Sequence, residues 1–387
     1  MRHIVATVLL FALAACNRPG ELTYAPDAPP VGARQEVFIG TSRAVDPETG
    51  RFGGGRVPVD SFARYVVQVP PDREPGSIEW PREGRDPDPM RHFLTVEEQL
   101  FDEVGDFRAA LTRTIRDLPR GEREVIVFAH GFNTTFAEGL YRIAQLDHDL
   151  ELPGVSVHYS WPSRGKPFAY LEDRDSAVFA RDGYETLLNE IVAAGAERIV
   201  IVGHSMGSLL TMEALRQIAI DGNRRVFNRI SGVVLISPDI DVDLFHQQAS
   251  RIGELPQPFY VFTSQRDRAL ALSSRISGQR ERLGNLRSPE EVADLEVTLI
   301  EVGDFATGTG HFAPGDSPAL IGILGRLADV DTAFNSDRAG NPDLITGSVL
   351  TFRSVSPRPP LAARGGGATS PAGPPLRTPP SRRCCAP

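Results

Sequence analysis

Apolar and polar positions follow two rhythms through most of this chain. Short apolar runs bounded by turn residues recur at 125–129 (Val-Ile-Val-Phe-Ala), 155–159, 199–202 (Ile-Val-Ile-Val), 232–236, 259–263 and 297–302. Apolar, β-branched runs of this length read as strands buried on both faces. Between them, apolar residues return every three or four positions at 137–150, 176–194, 208–220 and 243–252, the spacing of helices with one buried side. Two earlier strands are predicted at 35–40 and 63–69, separated by a loop or hairpin excursion at 46–58, and helical periodicity covers 96–118. The Pro- and charge-rich stretch 70–88 reads as irregular. Strands alternating with helices predict an α/β fold with a mostly parallel central sheet flanked by helices on both faces, whose sites form at the carboxyl ends of strands.

This body is expected to span 35–330. Residues 331–387 read as a disordered tail: from Thr351 onward the chain is dominated by Pro, Gly, Ala, Ser and Arg, contains no acidic residue, and cannot bury enough apolar area to offset ordering. Residues 16–34, Pro-rich and polar, read as a tether. At the start, Arg2, an apolar run at 4–13 and the box Leu13-Ala14-Ala15-Cys16 resemble a bacterial lipoprotein signal. That resemblance implies removal of residues 1–15 and a diacyl or triacyl anchor on Cys16, which holds far better than one acyl chain. The apolar run is too short to span a bilayer. Asn17 follows in place of the aspartate that retains many such proteins in the inner membrane, so the expected address is the periplasmic face of the outer membrane.

Composition narrows the function classes. Lys and Arg number 41 against 50 Asp and Glu, a net charge of −9 over 387 residues, with only scattered basic residues in the body. Such a chain is a poor nucleic-acid binder. Of three cysteines, Cys16 belongs to the signal box and Cys384 and Cys385 to the tail, so the body offers neither a disulfide framework nor a cysteine metal site. No cofactor or metal is expected. Aromatic residues are 7% of the chain, which speaks against a lipase with a broad apolar lid.

The chemistry concentrates at Gly203-His204-Ser205-Met206-Gly207. The pentapeptide follows a predicted strand and opens a predicted helix, the context that makes G-x-S-x-G a nucleophile elbow. The hydroxyl of Ser205 needs a base, and the base needs a carboxylate to orient it. Of eight histidines, His3 falls in the signal, His92 in the irregular stretch, His148 and His246 on helices and His158 within a strand. His204 is expected to point away from the serine side, and His130 closes a strand beside a turn. His311, in a Gly-rich loop beyond the last strand, remains as the base. Asp267 closes the penultimate strand and is the preferred orienter. Asp239 closes the strand before it and is the alternative, with Asp241 and Asp304 behind. The amide of Met206 and, from the turn His130-Gly131-Phe132-Asn133, that of Phe132 are the expected oxyanion donors. Trp161 and Tyr170 lie on an excursion that either caps the site or packs on the surface. Arg164, Lys166, Asp173 and Asp175 there are expected to make it soluble.

From about residue 37 to 327 these features resemble the α/β-hydrolase superfamily. More narrowly, the chain is similar to a family of bacterial α/β-hydrolases of unassigned substrate. The resemblance rests on Phe38-Ile39-Gly40-Thr41-Ser42-Arg43, His130-Gly131-Phe132-Asn133, Ser160-Trp161-Pro162-Ser163-Arg164-Gly165, the elbow, and Ser237-Pro238-Asp239-Ile240-Asp241. It implies metal-free hydrolysis of a small-molecule ester, thioester or amide, with roles for Ser205, His311 and Asp267. The expectation is a lipid-anchored, esterase-like serine hydrolase. The rival readings are a non-catalytic scaffold that binds envelope components and an acyltransferase.

Overall fold

The computed structural model describes residues 20–82, 84–278, 281–302, 311, 315 and 317, and the backbone of 352–354. In chain order the elements are β1 (Ala33–Val45), β2 (Phe52–Val69), β3 (Leu94–Phe101), α1 (Val104–Asp117), β4 (Glu124–Ala129), α2 (Phe136–Leu150) and β5 (Val155–Tyr159). They continue as α3 (Tyr170–Phe179), α4 (Arg181–Ala194), β6 (Arg198–His204), α5 (Met206–Ile220), α6 (Arg224–Phe227), β7 (Ile230–Ile236), α7 (Val242–Ile252), β8 (Phe259–Thr263), α8 (Arg268–Ile276), β9 (Thr298–Glu301) and β10 (Phe352–Ser354).

The strands form one sheet in the order β10-β9-β8-β7-β6-β4-β5-β1-β2-β3. From β9 through β1 every neighbouring pair is parallel, while β1–β2, β2–β3 and β9–β10 are antiparallel. The parallel strands are apolar because helices cover both their faces. On one face α1, α4, α5 and α7 bury Phe107, Leu187, Leu210 and Phe245 with Val127, Ile201 and Val233. On the other, α2 buries Leu140, Tyr141 and Ile143 with Val37, Ile39 and Phe128. The crossovers bring the carboxyl ends of β4 to β8 to one edge.

Three local expectations are corrected. The helix read at 96–118 is strand β3 followed by α1. Edge pairing to β2 supplies cross-strand partners that outweigh local rhythm, with Arg64 donating to Glu97 at 3.1 Å and the Tyr65 hydroxyl to Glu98 at 2.8 Å. The helix read at 176–194 starts earlier and breaks at Ala180 into α3 and α4. Of the two readings of 46–58, the hairpin is the one found: most of the stretch is the extended part of the β1–β2 pair, whose turn is closed by Asp46 Oδ1 accepting from the amides of Glu48 and Thr49.

The third correction concerns the stretch read as a tether. From Gly20 it is docked. Leu22 is buried, the Thr23 carbonyl accepts from the Thr95 amide at 2.8 Å, and the Ala25 amide donates to the Thr95 carbonyl at 2.9 Å. The edge of β3 presents backbone groups that need partners, and this segment supplies them. Residues 1–15, Cys16, Asp304, Cys384 and Cys385 lie outside the described residues. So does the tail, apart from 352–354, which pair with β9.

Candidate active site

Ser205 stands where β6 turns into α5, with φ 52° and ψ −115°. A non-glycine residue at positive φ is held there by its surroundings. Both flanking glycines are required by close approach. A Cβ on Gly203 would lie 2.9 Å from Ser208 Cα, and one on Gly207 would collide with the carbonyl oxygens of Ala129 and His130. The turn is tied to the neighbouring strand end, because the Ser205 amide donates to Ile236 O at 2.9 Å and the Asp239 amide to Ser205 O at 3.2 Å. Ser205 therefore sits at the amino terminus of α5, where the helix dipole favours developing negative charge.

The turn after β4 lies against this elbow. A Cβ on Gly131 would be 3.1 Å from Ser205 Cβ and 2.7 Å from His204 Nδ1, so only glycine lets the strand end approach. Phe132 and Met206, the expected oxyanion donors, follow Gly131 and Ser205 directly. Asn133 holds positive φ (60°), and its amide donates to Asp173 Oδ2 at 3.2 Å.

Behind the turn is a network that the sequence reading did not assign. Arg43, 1% exposed, donates from Nε to Ser160 Oγ (2.9 Å), from Nη1 to the carbonyls of Gly53 (3.0 Å) and Ser163 (2.9 Å), and from Nη2 to Thr134 O (2.9 Å). Burial pulls its pKa down to about 9. Nη2 also lies 3.1 Å from His130 Nε2. His130 is held well below the ordinary histidine range, first by burial and then by the Arg43 charge. The ring is held from both ends, with Nδ1 2.8 Å from Gly131 O and Nε2 3.0 Å from Trp161 O beside the Arg43 contact. Trp161 is buried rather than capping the mouth, stacks on His130 at 4.7 Å and donates to its carbonyl at 2.7 Å. Asp173, expected on a solvated excursion, is also buried. It accepts from Ser163 Oγ (2.6 Å) and the Arg164 amide (2.7 Å), which locks the β5 loop. A signal for Arg43 was present: it ends the Phe38–Arg43 motif on which the family resemblance rests.

On the other flank, His311 Nδ1 lies 2.8 Å from Asp267 Oδ2. Asp267 is buried, and its Oδ1 caps α8 by accepting from the Leu270 amide at 2.9 Å. With both oxygens held, the carboxylate fixes the imidazole with Nδ1–H donating, which leaves Nε2 as the proton acceptor. Asp239 is engaged elsewhere. It accepts from the Tyr170 hydroxyl (2.9 Å) and Ser273 Oγ (2.7 Å), and Arg282 Nε lies 3.2 Å from it. Asp241 caps α7. His204 is not turned away. Its ring centroid is 4.9 Å from that of His311, and burial followed by the neighbouring imidazole pushes its pKa well down. Of the other histidines, the ring nitrogens of His158 and His246 reach the carbonyls of Phe128 and Glu291, and His92 Nδ1 accepts from the Asp88 amide.

A cleft of about 690 Å³ opens beside the elbow, lined by His130, Gly131, His204, Ile78, Trp80 and Arg142 among others. Among the described residues no group of three His, Cys, Asp or Glu side chains converges as a metal site requires. The arrangement suits transfer of a proton from an alcohol to an imidazole whose far nitrogen is oriented by a carboxylate.

Residues 107–311, a little over half of the chain, match the family described as "Alpha/beta hydrolase of unknown function (DUF900)". Among solved structures, the chain is similar to esterase Est22 at 12% identity and a TM-score of 0.36, over 77% of this chain and 80% of that one. The thermophilic esterase Est2 of Thermogutta terrifontis is 13% identical with a TM-score of 0.28, over 72% and 88%. Lipase B of Aspergillus fumigatus is 16% identical with a TM-score of 0.25, and the match spans only 38% of either chain. No curated protein matches.

Proposed function

The chain belongs to the α/β-hydrolases of unknown function and has their fold, and on that premise we propose that it is a serine hydrolase of the carboxylesterase type, acting on an acyl ester or thioester. Ser205 Oγ attacks the acyl carbonyl while His311 Nε2 takes its proton. The amides of Phe132 and Met206 receive the oxyanion. His311 then protonates the leaving group and activates a water that hydrolyses the acyl-enzyme, while Asp267 stabilises the imidazolium.

The observation that carries this reading is the 2.8 Å contact between His311 and the buried Asp267, at the same sheet edge as a serine held at positive φ. Incubation with a fluorophosphonate probe tests it. Labelling of the wild type that vanishes in Ser205→Ala and His311→Ala is expected. Labelling that survives Ser205→Ala, or a folded wild type that takes no label, overturns the reading.

The same proposal places the enzyme in the cell envelope, held by lipid on Cys16. Support comes from the Leu-Ala-Ala-Cys box. Metabolic labelling with an alkyne fatty acid is expected to mark the wild type and not Cys16→Ser.

A further inference from the structure

We propose that the catalytic edge of the sheet faces a bilayer, and that the acyl ester it takes is presented by that bilayer. The orientation stands on where the chain enters the fold and on what is exposed around the site, given lipid on Cys16. The substrate class rests in addition on the hydrolase reading above.

The first observation is the anchoring of Gly20. It is buried, the Thr135 hydroxyl donates to its carbonyl at 2.7 Å, and a Cβ on it would lie 2.6 Å from Glu138 Cδ. Thr135 is the N-cap of α2, and its hydroxyl also accepts from the Glu138 amide at 3.2 Å. The chain thus joins the fold at the amino end of the helix that leaves the Gly131–Phe132 turn, at the nucleophile's edge of the sheet. The next residues are fixed as well, since Leu22 is buried and the Thr23 amide donates to the Tyr141 hydroxyl at 2.9 Å. Cys16 precedes Gly20 by four residues. Fully extended chain covers at most about 3.6 Å per residue, so a lipid on Cys16 is tied within about 14 Å of this point. A leash that short selects which side of the molecule meets the membrane.

The second observation is a narrow apolar rim at that edge. Phe168 is 101% exposed and Leu171 65%, both where the β5 loop enters α3. Leu272 and Ile276 are 57% and 50% exposed on α8. Asp239 draws the two elements together, accepting from Tyr170 of α3 and Ser273 of α8. Single exposed apolar side chains are ordinary, but several around one rim beside a reactive site mark a contact surface. The anchor decides what the surface contacts. A leash that enters the fold at the same sheet edge brings this edge to acyl chains before any soluble partner. This rim is far smaller than the broad lid that the low aromatic content argues against.

The test uses the full lipidated chain on phosphatidylcholine vesicles. Phe168→Trp adds a reporter beside Trp80 and Trp161, whose emission in the parent is the baseline. Bromine on the lipid chains is expected to quench the added emission. Protein that floats with the vesicles but shows no added quenching overturns the orientation, as does wild type that fails to float. The double variant Phe168→Asp/Leu171→Asp is expected to lose fivefold or more in rate on a long-chain ester carried in vesicles, with hydrolysis of soluble p-nitrophenyl butyrate unchanged. Equal rates for parent and variant on the vesicle ester overturn the substrate class. A parent that cleaves neither ester sinks the hydrolase reading and the substrate class with it, while quenching still decides the orientation. If the double variant dissociates a dimer present without vesicles and no quenching is seen, the rim belongs to a second copy of the chain and the proposal fails.

Discussion

The two flanks of Ser205 use the same residue types to opposite ends. On the β4–β5 side a buried arginine, histidine and aspartate (Arg43, His130, Asp173) form a closed bracket. On the β7–β8 side are Arg282, His311 and two aspartates, Asp239 and Asp267. What differs is which charge each histidine faces. The Arg43 guanidinium sits 3.1 Å from His130, and burial plus that positive charge keep the ring neutral. It then serves as a fixed spacer behind the Gly131 turn. His311 faces the Asp267 carboxylate at 2.8 Å with its side chain 19% exposed. That carboxylate holds the ring by Nδ1 and leaves its far nitrogen open. The same comparison separates the two aspartates, since Asp239 neutralises the buried Arg282 while Asp267 is left for the histidine. Chemistry at this edge is assigned by neighbours, not by residue type.

The sharpest way to break this contrast is Asp267→Asn. Asparagine still caps α8, so melting should hold while kcat on a p-nitrophenyl ester falls about 10⁴-fold. A small loss there would return the orienting role to Asp239. Asp239→Asn should do the converse. It leaves Arg282 buried without its counter-charge, at a cost of about 3–5 kcal/mol in urea denaturation, with kcat of the folded fraction within a few-fold of wild type. On the opposite flank, Arg43→Lys keeps the charge but loses the planar fork that binds five groups at once. A loss on the order of 2–3 kcal/mol is expected from the same measurement.

The bracket also carries a pH signature. His158, whose ring lies 5.4 Å from that of His130, has its pKa lowered from 6.5 to about 3 by burial. Below the unfolded pKa the unfolded chain gains a proton that the folded ring refuses. Stability therefore falls as pH drops from 6.5 toward 3, by up to about 1.4 kcal/mol per unit from this group. Asp60 and Asp147, raised by burial to about 6, oppose that slope. They keep protons that the unfolded chain releases, so their contribution falls as pH rises through about 4 to 6. His158→Gln should flatten the loss between pH 6.5 and 4.5 relative to wild type. The smallest effect is expected from Ser273→Ala, which removes one hydroxyl from Asp239 for about 1 kcal/mol and leaves the rate on the soluble ester unchanged.

Much of this was legible in the chain because its causes are local. The buried strands announce themselves by apolar runs, and the elbow by two glycines and a serine whose spacing meets steric demands within one turn. The α/β-hydrolase fold expected from the sequence is the one found. Less legible were features with distant causes. β3 has helical rhythm yet becomes a strand because β2 offers it a ladder. The Pro-rich segment after Gly20 docks because an open edge needed partners. Asp173 looks like a solvated charge until Ser163 and two backbone amides, those of Asn133 and Arg164, are brought to it. His204 stands beside His311 because the turn at Ser205 and the bare Gly131 leave room on that side.

The chain's own pattern specified the layered parallel sheet, the elbow that carries Ser205 and the short menu of candidate bases and acids, since these follow from periodicity and from backbone sterics over a few residues. Long-range packing alone settled which carboxylate meets the histidine, that Arg43 is an internal brace, and that the chain enters the fold at the sheet edge that carries Ser205. Those outcomes depend on which side chains, often tens of residues apart or more, share a few ångströms of low-dielectric space. There pairing free energy is large, and sequence separation carries no information about it.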